Sequence, residues 1–217
     1  MAGLFDKDLR ILLQRKQTIV LFLALAIILG FSTGGTFVVG YTSFCFLILS
    51  VSTISYDEFD NGYSFLMTLP ITRRTYVLEK YLLCSISGAV AWIFSVVVCI
   101  LENQYKQPGI ITGELLMEAA AIFPIVLILM SLMIPIQIKY GSEKSRVVLI
   151  AVMGIAGVVV IGMKKAAETL NLRFDSLVEK LESITGMQML IGCTVVTIAA
   201  VLLSFAISTR IMENKEF

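Results

Sequence analysis

Histidine is absent from the 217 residues, and charged residues make up only 15% of the chain. Without histidine, and with four cysteines that show no C-x-x-C spacing, the chain has no ligand set typical of a zinc site. No acidic residue lies at the centre of an apolar run, and no serine has a candidate base beside it. We therefore predict a chain that is not an enzyme and that carries no metal and no cofactor of its own.

Basic runs are lacking as well, and the formal net charge is only +1. Nucleic acid is therefore not an expected partner. Hydrophobic residues, in contrast, make up 58% of the chain, and the mean hydropathy is +0.91. A water-soluble fold of this length could not bury so much apolar surface, so the composition indicates a membrane protein.

Uncharged runs in the sequence have the length that a membrane-spanning helix needs, about 20 residues. The longest run covers 17–56 and is twice too long for one helix, but the turn-forming residues Gly30 to Thr36 divide it. We predict an all-α, polytopic fold with one domain over 1–217. Its six spans are expected at about 17–32, 36–56, 76–101, 115–138, 147–163 and 186–209.

Basic residues are unevenly divided between the two sides of this arrangement. The side that holds both termini carries twelve of the 17 lysines and arginines. Because cytoplasmic loops are enriched in these residues, we expect both termini in the cytoplasm and the chain in the plasma membrane, among its lipids. Asp6 and Asp8 precede the first apolar run and no small-x-small site follows it, so we expect the first helix to be retained.

Two amphipathic segments flank the predicted spans. Residues 3–16 mix leucines with basic residues at a spacing that suits an interfacial elbow helix before the first span. Residues 164–185 place apolar side chains at three- and four-residue steps, which predicts a short outer helix between spans five and six.

The most informative segment lies between spans two and three. Ser55 and Glu58 have the spacing of a capping box, and Leu69-Pro70 ends the helical pattern that follows. We predict a short cytosolic helix parallel to the membrane, over 57–69. Its apolar ridge, Phe59, Tyr63 and Leu66, either packs under the bundle or enters a groove on another protein.

The residues of this segment resemble those of a known protein family. Acidic residues after span two, then Leu69-Pro70-x-x-Arg73, then Tyr76-Val77 and Lys80 entering span three, resemble the membrane subunit of type-two ATP-binding-cassette exporters. The likeness is to the small six-helix branch that includes bacterial peptide-toxin and lantibiotic exporters. The motif covers about 25 residues, whereas the arrangement of elbow helix, six spans and outer helix covers the whole chain.

The resemblance implies a coupling helix that sits in a cleft of an ATPase subunit. It also implies pairing with a second permease, either another copy or a paralogue. The chain has no Gly-x-x-x-x-Gly-Lys-Ser/Thr phosphate loop, so ATP and magnesium would be bound by the separate ATPase. A plain interfacial helix is the alternative for this segment. The residues implied in ATPase coupling are Asp57, Glu58, Phe59, Tyr63, Phe65, Leu66, Leu69, Pro70, Arg73 and Arg74.

Three acids, Glu102, Glu114 and Glu118, border the predicted spans on the outer side. They are candidates for lining an exit path for cationic cargo. The alternative, which we favour, is that all three lie at headgroup level in water. Pro124 and Pro135 lie inside span four, where they are expected to kink it, either for gating or merely as a tolerated feature of packing.

The cargo that suits these spans is amphipathic or hydrophobic, because they offer almost no partner for a strongly charged solute at mid-membrane depth. We therefore expect an ATP-driven export permease, with a membrane-active peptide as the first candidate cargo and lipids or hydrophobic drugs as the second. A non-transporting scaffold or immunity protein, and a secondary carrier, are the alternatives. A carrier would need midplane carboxylates or broken helices in two matching halves, and the sequence shows neither.

Overall fold

A computed structural model of the chain describes residues 2–33, 35–59, 62–106, 113–169 and 186–215. Almost all of these residues are helical and none of them is in a strand, which confirms the prediction of an all-α fold. The helices within these ranges are α1 (Ala2–Gln14), α2 (Lys16–Thr33), α3 (Gly35–Glu58), α4 (Gly62–Thr68), α5 (Arg73–Lys106), α6 (Gly113–Thr169) and α7 (Gly186–Glu213).

Among the described residues, four helices are long and apolar enough to cross a membrane: Gly35–Glu58, Arg73–Lys106, Leu115–Gly141 and Gly186–Glu213. A fifth crossing results if Gly3–Gln14 and Lys16–Gly30, which meet at a bend of 66°, form one broken span. The six predicted spans are therefore not confirmed. The first predicted span qualifies only together with α1.

The fifth predicted span, 147–163, belongs to the long helix α6. This helix contains Pro124 and Pro135, but the residue with non-helical dihedral angles is Gly141, at φ 74° and ψ −177°. Only glycine adopts this region readily. Most of the predicted outer helix, 170–185, lies outside the described residues.

Packing in the bundle centres on α3, which lies against α2, α5 and α6, while α7 packs on α5 and α6. Polar side chains bridge the helices. Tyr81 shares hydrogen bonds with Ser204 at 2.6 Å and with Ser208 at 2.9 Å, and the indole nitrogen of Trp92 donates to the carbonyl of Ala119 at 2.8 Å. Small hydroxyl side chains and close helix contacts are typical of membrane bundles.

The bundle has two ends. The terminal end, where the first and last described segments lie, is defined by Asp8, Glu58, Arg73, Gly141 and Lys215, whose contacts are described below. The opposite, far end is defined by Gly30, Thr36, Glu102 and Glu118. Most of α7 presents apolar side chains outward, as a helix surrounded by lipid does.

Candidate functional site at the terminal end

Helix α4 has two distinct faces. Tyr63 and Leu66 point inward and are 5% and 7% exposed, packed among core residues of α3, α5 and α6. Phe65 points outward and is 68% exposed, and Phe59, just before the helix, is 61% exposed. The predicted ridge of Phe59, Tyr63 and Leu66 is therefore divided, because Tyr63 and Leu66 pack under the bundle and Phe59 does not.

The start of the segment differs from the sequence prediction. Ser55, Asp57 and Glu58 belong to the last turn of α3, so Ser55 is not the N-cap of a new helix. A Cβ atom at Gly62 would lie 2.6 Å from the carbonyl oxygen of Asp57. The glycine thus allows the first turn of α4 to lie directly against the end of α3.

Asp57, in the last turn of α3, takes part in a buried ion cluster. The ammonium group of Lys80 on α5 contacts Asp8 on α1, and it lies 2.6 Å from Oδ2 of Asp57 on α3. The ammonium of Lys7 contacts the other oxygen of Asp57 and lies 3.1 Å from Asp8. Asp8 and Lys80 are fully buried, so each charge is stabilised by partners from other helices.

Glu79 is a fifth ionisable group in this cluster. It is 2% exposed, and its carboxylate lies 3.8 Å from the ammonium of Lys80. Within the described residues the cluster thus joins two lysines to three acids from α1, α3 and α5. Removing one partner from such a cluster leaves an uncompensated buried charge, at a cost of about 3–5 kcal/mol.

Tyr76 connects the ion cluster to the inward face of α4. Its hydroxyl donates to Oδ2 of Asp57 at 3.0 Å, and its ring meets the ring of Tyr63 edge-on, with centroids 5.8 Å apart. Burial raises the pKa of Tyr63 to about 12, so Tyr63 is neutral at physiological pH. The helix is therefore held by packing from inside while its outward face remains open.

The segment after α4 caps two helices. The hydroxyl of Thr72 accepts from the backbone N–H of Thr75 at 3.1 Å, which makes Thr72 the N-cap of α5. Arg73 donates to the carbonyl oxygen of Met212 at 3.1 Å and to that of Glu213, so a cation covers the C-terminus of α7. Leu69, Pro70 and Arg74 are exposed.

The acids of the far end are not equivalent. Glu102 is 5% exposed and pairs with Lys106 at 2.6 Å, so it does not lie in water as the favoured interpretation predicted. Glu118 is exposed and accepts a hydrogen bond from Thr36 at 3.0 Å. The side chain of Glu114 is outside the described part of the chain. The structure thus brings Glu102 and Glu118 to one end, with the charge of Glu102 already matched.

Sequence reasoning missed the roles of Lys7, Asp8 and Glu79, and it treated Lys80 only as part of the segment that enters span three. A signal was present, because Asp8 falls at i+4 from Leu4 and i−4 from Leu12, on the apolar stripe of α1. Lys80 likewise falls at i+4 from Tyr76, on a buried face. A charge on an apolar stripe indicates a buried partner of opposite sign.

Long apolar helices joined by polar contacts define the chain as a multi-pass membrane protein. Residues 3–213 match the family model described as ABC-2 family transporter protein, and the chain belongs to this family. It is therefore an ABC-2 type permease, and membership implies an ATP-binding partner subunit. Comparison with curated proteins and with solved structures gave no match.

Proposed function

We propose that this chain is the permease subunit of an ATP-driven exporter and that it receives the movement of a separate ATPase subunit through α4. The observation that carries the proposal is the division of α4 into a fixed inner face and an open outer face. Phe59, Phe65 and Leu69 are exposed on a segment whose other side is anchored in the core. Exposed aromatic side chains on a rigid support are typical anchors for a partner groove.

The excess of lysine and arginine supports a cytosolic position for the terminal end. An ATPase could bind only there, and the buried side of α4 would carry its movement to α1, α3 and α5. Two permease copies with two ATPase subunits complete the proposed transporter. Rigid-body tilting of the two bundles would then release the cargo, a recognised mode of switching.

The proposed cargo is an amphipathic membrane-active peptide, with lipids and hydrophobic drugs as second candidates. The described spans expose mainly apolar side chains, and Glu102, the buried acid described at the far end, is already paired with Lys106. A strongly hydrophilic solute would find few partners on such a path.

Co-purification tests the coupling role. The tagged chain is isolated with its ATP-binding-cassette ATPase, identified by mass spectrometry, and compared with a Phe59→Ala/Phe65→Ala variant. We expect ATPase association to weaken about thirtyfold or more in the variant, since each of the two aromatic anchors is worth roughly 1–2 kcal/mol. Phe37→Ala, at a residue 54% exposed near the far end, is the matched control and should retain association. Full association of the double variant would contradict coupling through this face and favour a plain interfacial helix.

Cargo is tested in nanodiscs that contain both subunits. ATP hydrolysis is measured with amphipathic helical peptides, with lipids, and with sugars and inorganic ions. Stimulation by peptides is the expected result. Stimulation by a hydrophilic solute alone would refute the proposed cargo class.

A further inference from the structure

Three other elements converge on the break in α6 at the terminal end. Gly141 has a left-handed φ of 74°, and a Cβ atom there would lie 2.7 Å from Oε2 of Glu58 on α3. One turn earlier, the amide of Gln137 donates to the hydroxyl of Ser55, also on α3, at 2.6 Å. The end of α3, which leads into α4, is therefore held against this break.

Lys215, just beyond α7, provides the third contact. Its ammonium group donates to the carbonyl oxygen of Ile138 at 2.9 Å and lies 4.5 Å from the centre of the Tyr63 ring. Burial lowers the pKa of Lys215, while the negative charge of Glu58 acts in the opposite direction. One cation thus touches α4 through Tyr63 and α6 through a carbonyl that lies three residues before the break.

The chemistry of these partners suits a lysine. A change of helix direction disturbs the regular N–H donors for the carbonyls of the preceding turn, and an ammonium group can donate to such an oxygen. The same ammonium interacts favourably with an aromatic face. Arginine can satisfy both partners, whereas methionine has a stem of similar length and can satisfy neither.

We propose that Lys215 is a positioning residue that fastens α4 to the α6 break, so that displacement of α4 changes the angle between the two segments of α6. This inference rests on the proposed function for its source of movement, the ATPase. It adds a polar link from α4 to α6, beside the ion cluster that joins α4 through Tyr76 to α1, α3 and α5. The residues that join α4 to α6 in this way are Tyr63, Lys215 and Ile138.

The experiment follows the angle between the two segments of α6 through the distance between two spin labels. The labels are attached to cysteines that replace Leu132, before the break, and Ile150, after it. These side chains are 43% and 72% exposed, and the exposed Cys193 is first changed to Ser. Lys215→Met is compared with Lys215→Arg and with Lys144→Met, a control at an exposed lysine of α6. The chain is studied in nanodiscs, alone and with the ATPase.

We expect a narrow distance distribution in the parent, in Lys215→Arg and in Lys144→Met, and a broad one in Lys215→Met. With the ATPase, Lys215→Met should retain association but lose about tenfold in the ATP hydrolysis that an amphipathic helical peptide stimulates, since a hydrogen bond from a charged donor is lost. A narrow distribution or full stimulation in Lys215→Met would overturn the proposal, and so would a Lys215→Arg variant that behaves like Lys215→Met. If the parent recruits no ATPase, the proposed function fails, and the distances alone decide whether Lys215 holds the break.

Discussion

Lys80 is a fully buried cation with acidic partners on two other helices. Its position at the start of α5 means that one side chain joins α1 and α3 to the helix that follows α4. Buried ion pairs add little net stability compared with apolar residues of similar shape, but an incomplete pair is costly. Removing Lys80 alone should therefore cost more stability than removing Lys80 together with one of its acidic partners.

Lys80→Met should lower the free energy of unfolding by about 3–5 kcal/mol, because Asp8 and Asp57 lose a buried cation. Adding Asp8→Asn should recover most of this loss, since the double variant removes one positive and one negative charge. Thermal unfolding of the purified chain in nanodiscs measures both.

The matched control for this prediction is Arg10→Met. Arg10 pairs with Asp6 at 2.9 Å, but both side chains are exposed, at 74% and 59%. An exposed pair of this kind contributes only about 0–1 kcal/mol. A Lys80→Met variant as stable as Arg10→Met would contradict the buried cluster.

Gly141 gives the second prediction at this scale. A side chain at a left-handed φ costs about 1–2 kcal/mol, and a Cβ atom would also collide with the carboxylate of Glu58. Gly141→Ala should therefore lower the melting temperature, and Gly141→Ala/Glu58→Ala should recover the part due to the collision. Gly154→Ala, where the space beside the glycine is open, should leave the melting temperature nearly unchanged.

At the scale of the element, α4 and the segment after it combine an anchored face with an exposed one. Leu66 and Leu69 are only three residues apart, yet Leu66 is 7% exposed and Leu69 is 40% exposed. The Leu69-Pro70 dipeptide ends the helix soon after the last buried residue. The same residue type therefore has different roles at the two positions.

Leu66→Ala should cost about 2–5 kcal/mol in the free energy of unfolding, because a buried leucine is truncated. Leu69→Ala should change stability little and should lower ATPase association instead. Thermal unfolding and co-purification, measured on both variants, separate the two effects. Equal destabilisation by the two substitutions would contradict the division of α4 into faces.

At the scale of the whole molecule, the ends of the bundle differ in charge. The terminal end carries the ion cluster, Arg73 and Lys215, whereas the far end carries a single described pair, Glu102 with Lys106, and the exposed Glu118. The proposed orientation follows from the overall excess of basic residues on the side of the termini.

Cysteine labelling tests this orientation. Gln104, at the far end, and Lys144, just after the break in α6, are both exposed. With Cys193 changed to Ser, an impermeant thiol reagent added to intact cells should label Gln104→Cys and not Lys144→Cys. Labelling of Lys144→Cys alone would reverse the orientation, and ATPase binding at α4 would then be impossible.

Composition and run length alone determined that the chain is helical and crosses a membrane, because the backbone N–H and C=O groups of an apolar segment must be hydrogen-bonded internally in a bilayer. Local signals were sufficient for a short helix before Pro70, since the end of that helix depends on neighbours within a few residues. The resemblance to ATP-binding-cassette permeases also came from one short segment and its position, and the family match agrees with it.

Only the tertiary structure decided which side chains of that segment face inward. Asp8, Asp57 and Lys80 meet because α1, α3 and α5 pack together, over sequence separations that local patterns do not cover. The close approach of Glu58, from another helix, to Gly141 is likewise a result of packing. A hydrophobic pattern shows which face of a helix is buried, but the partners of a buried charge are fixed by packing between distant helices.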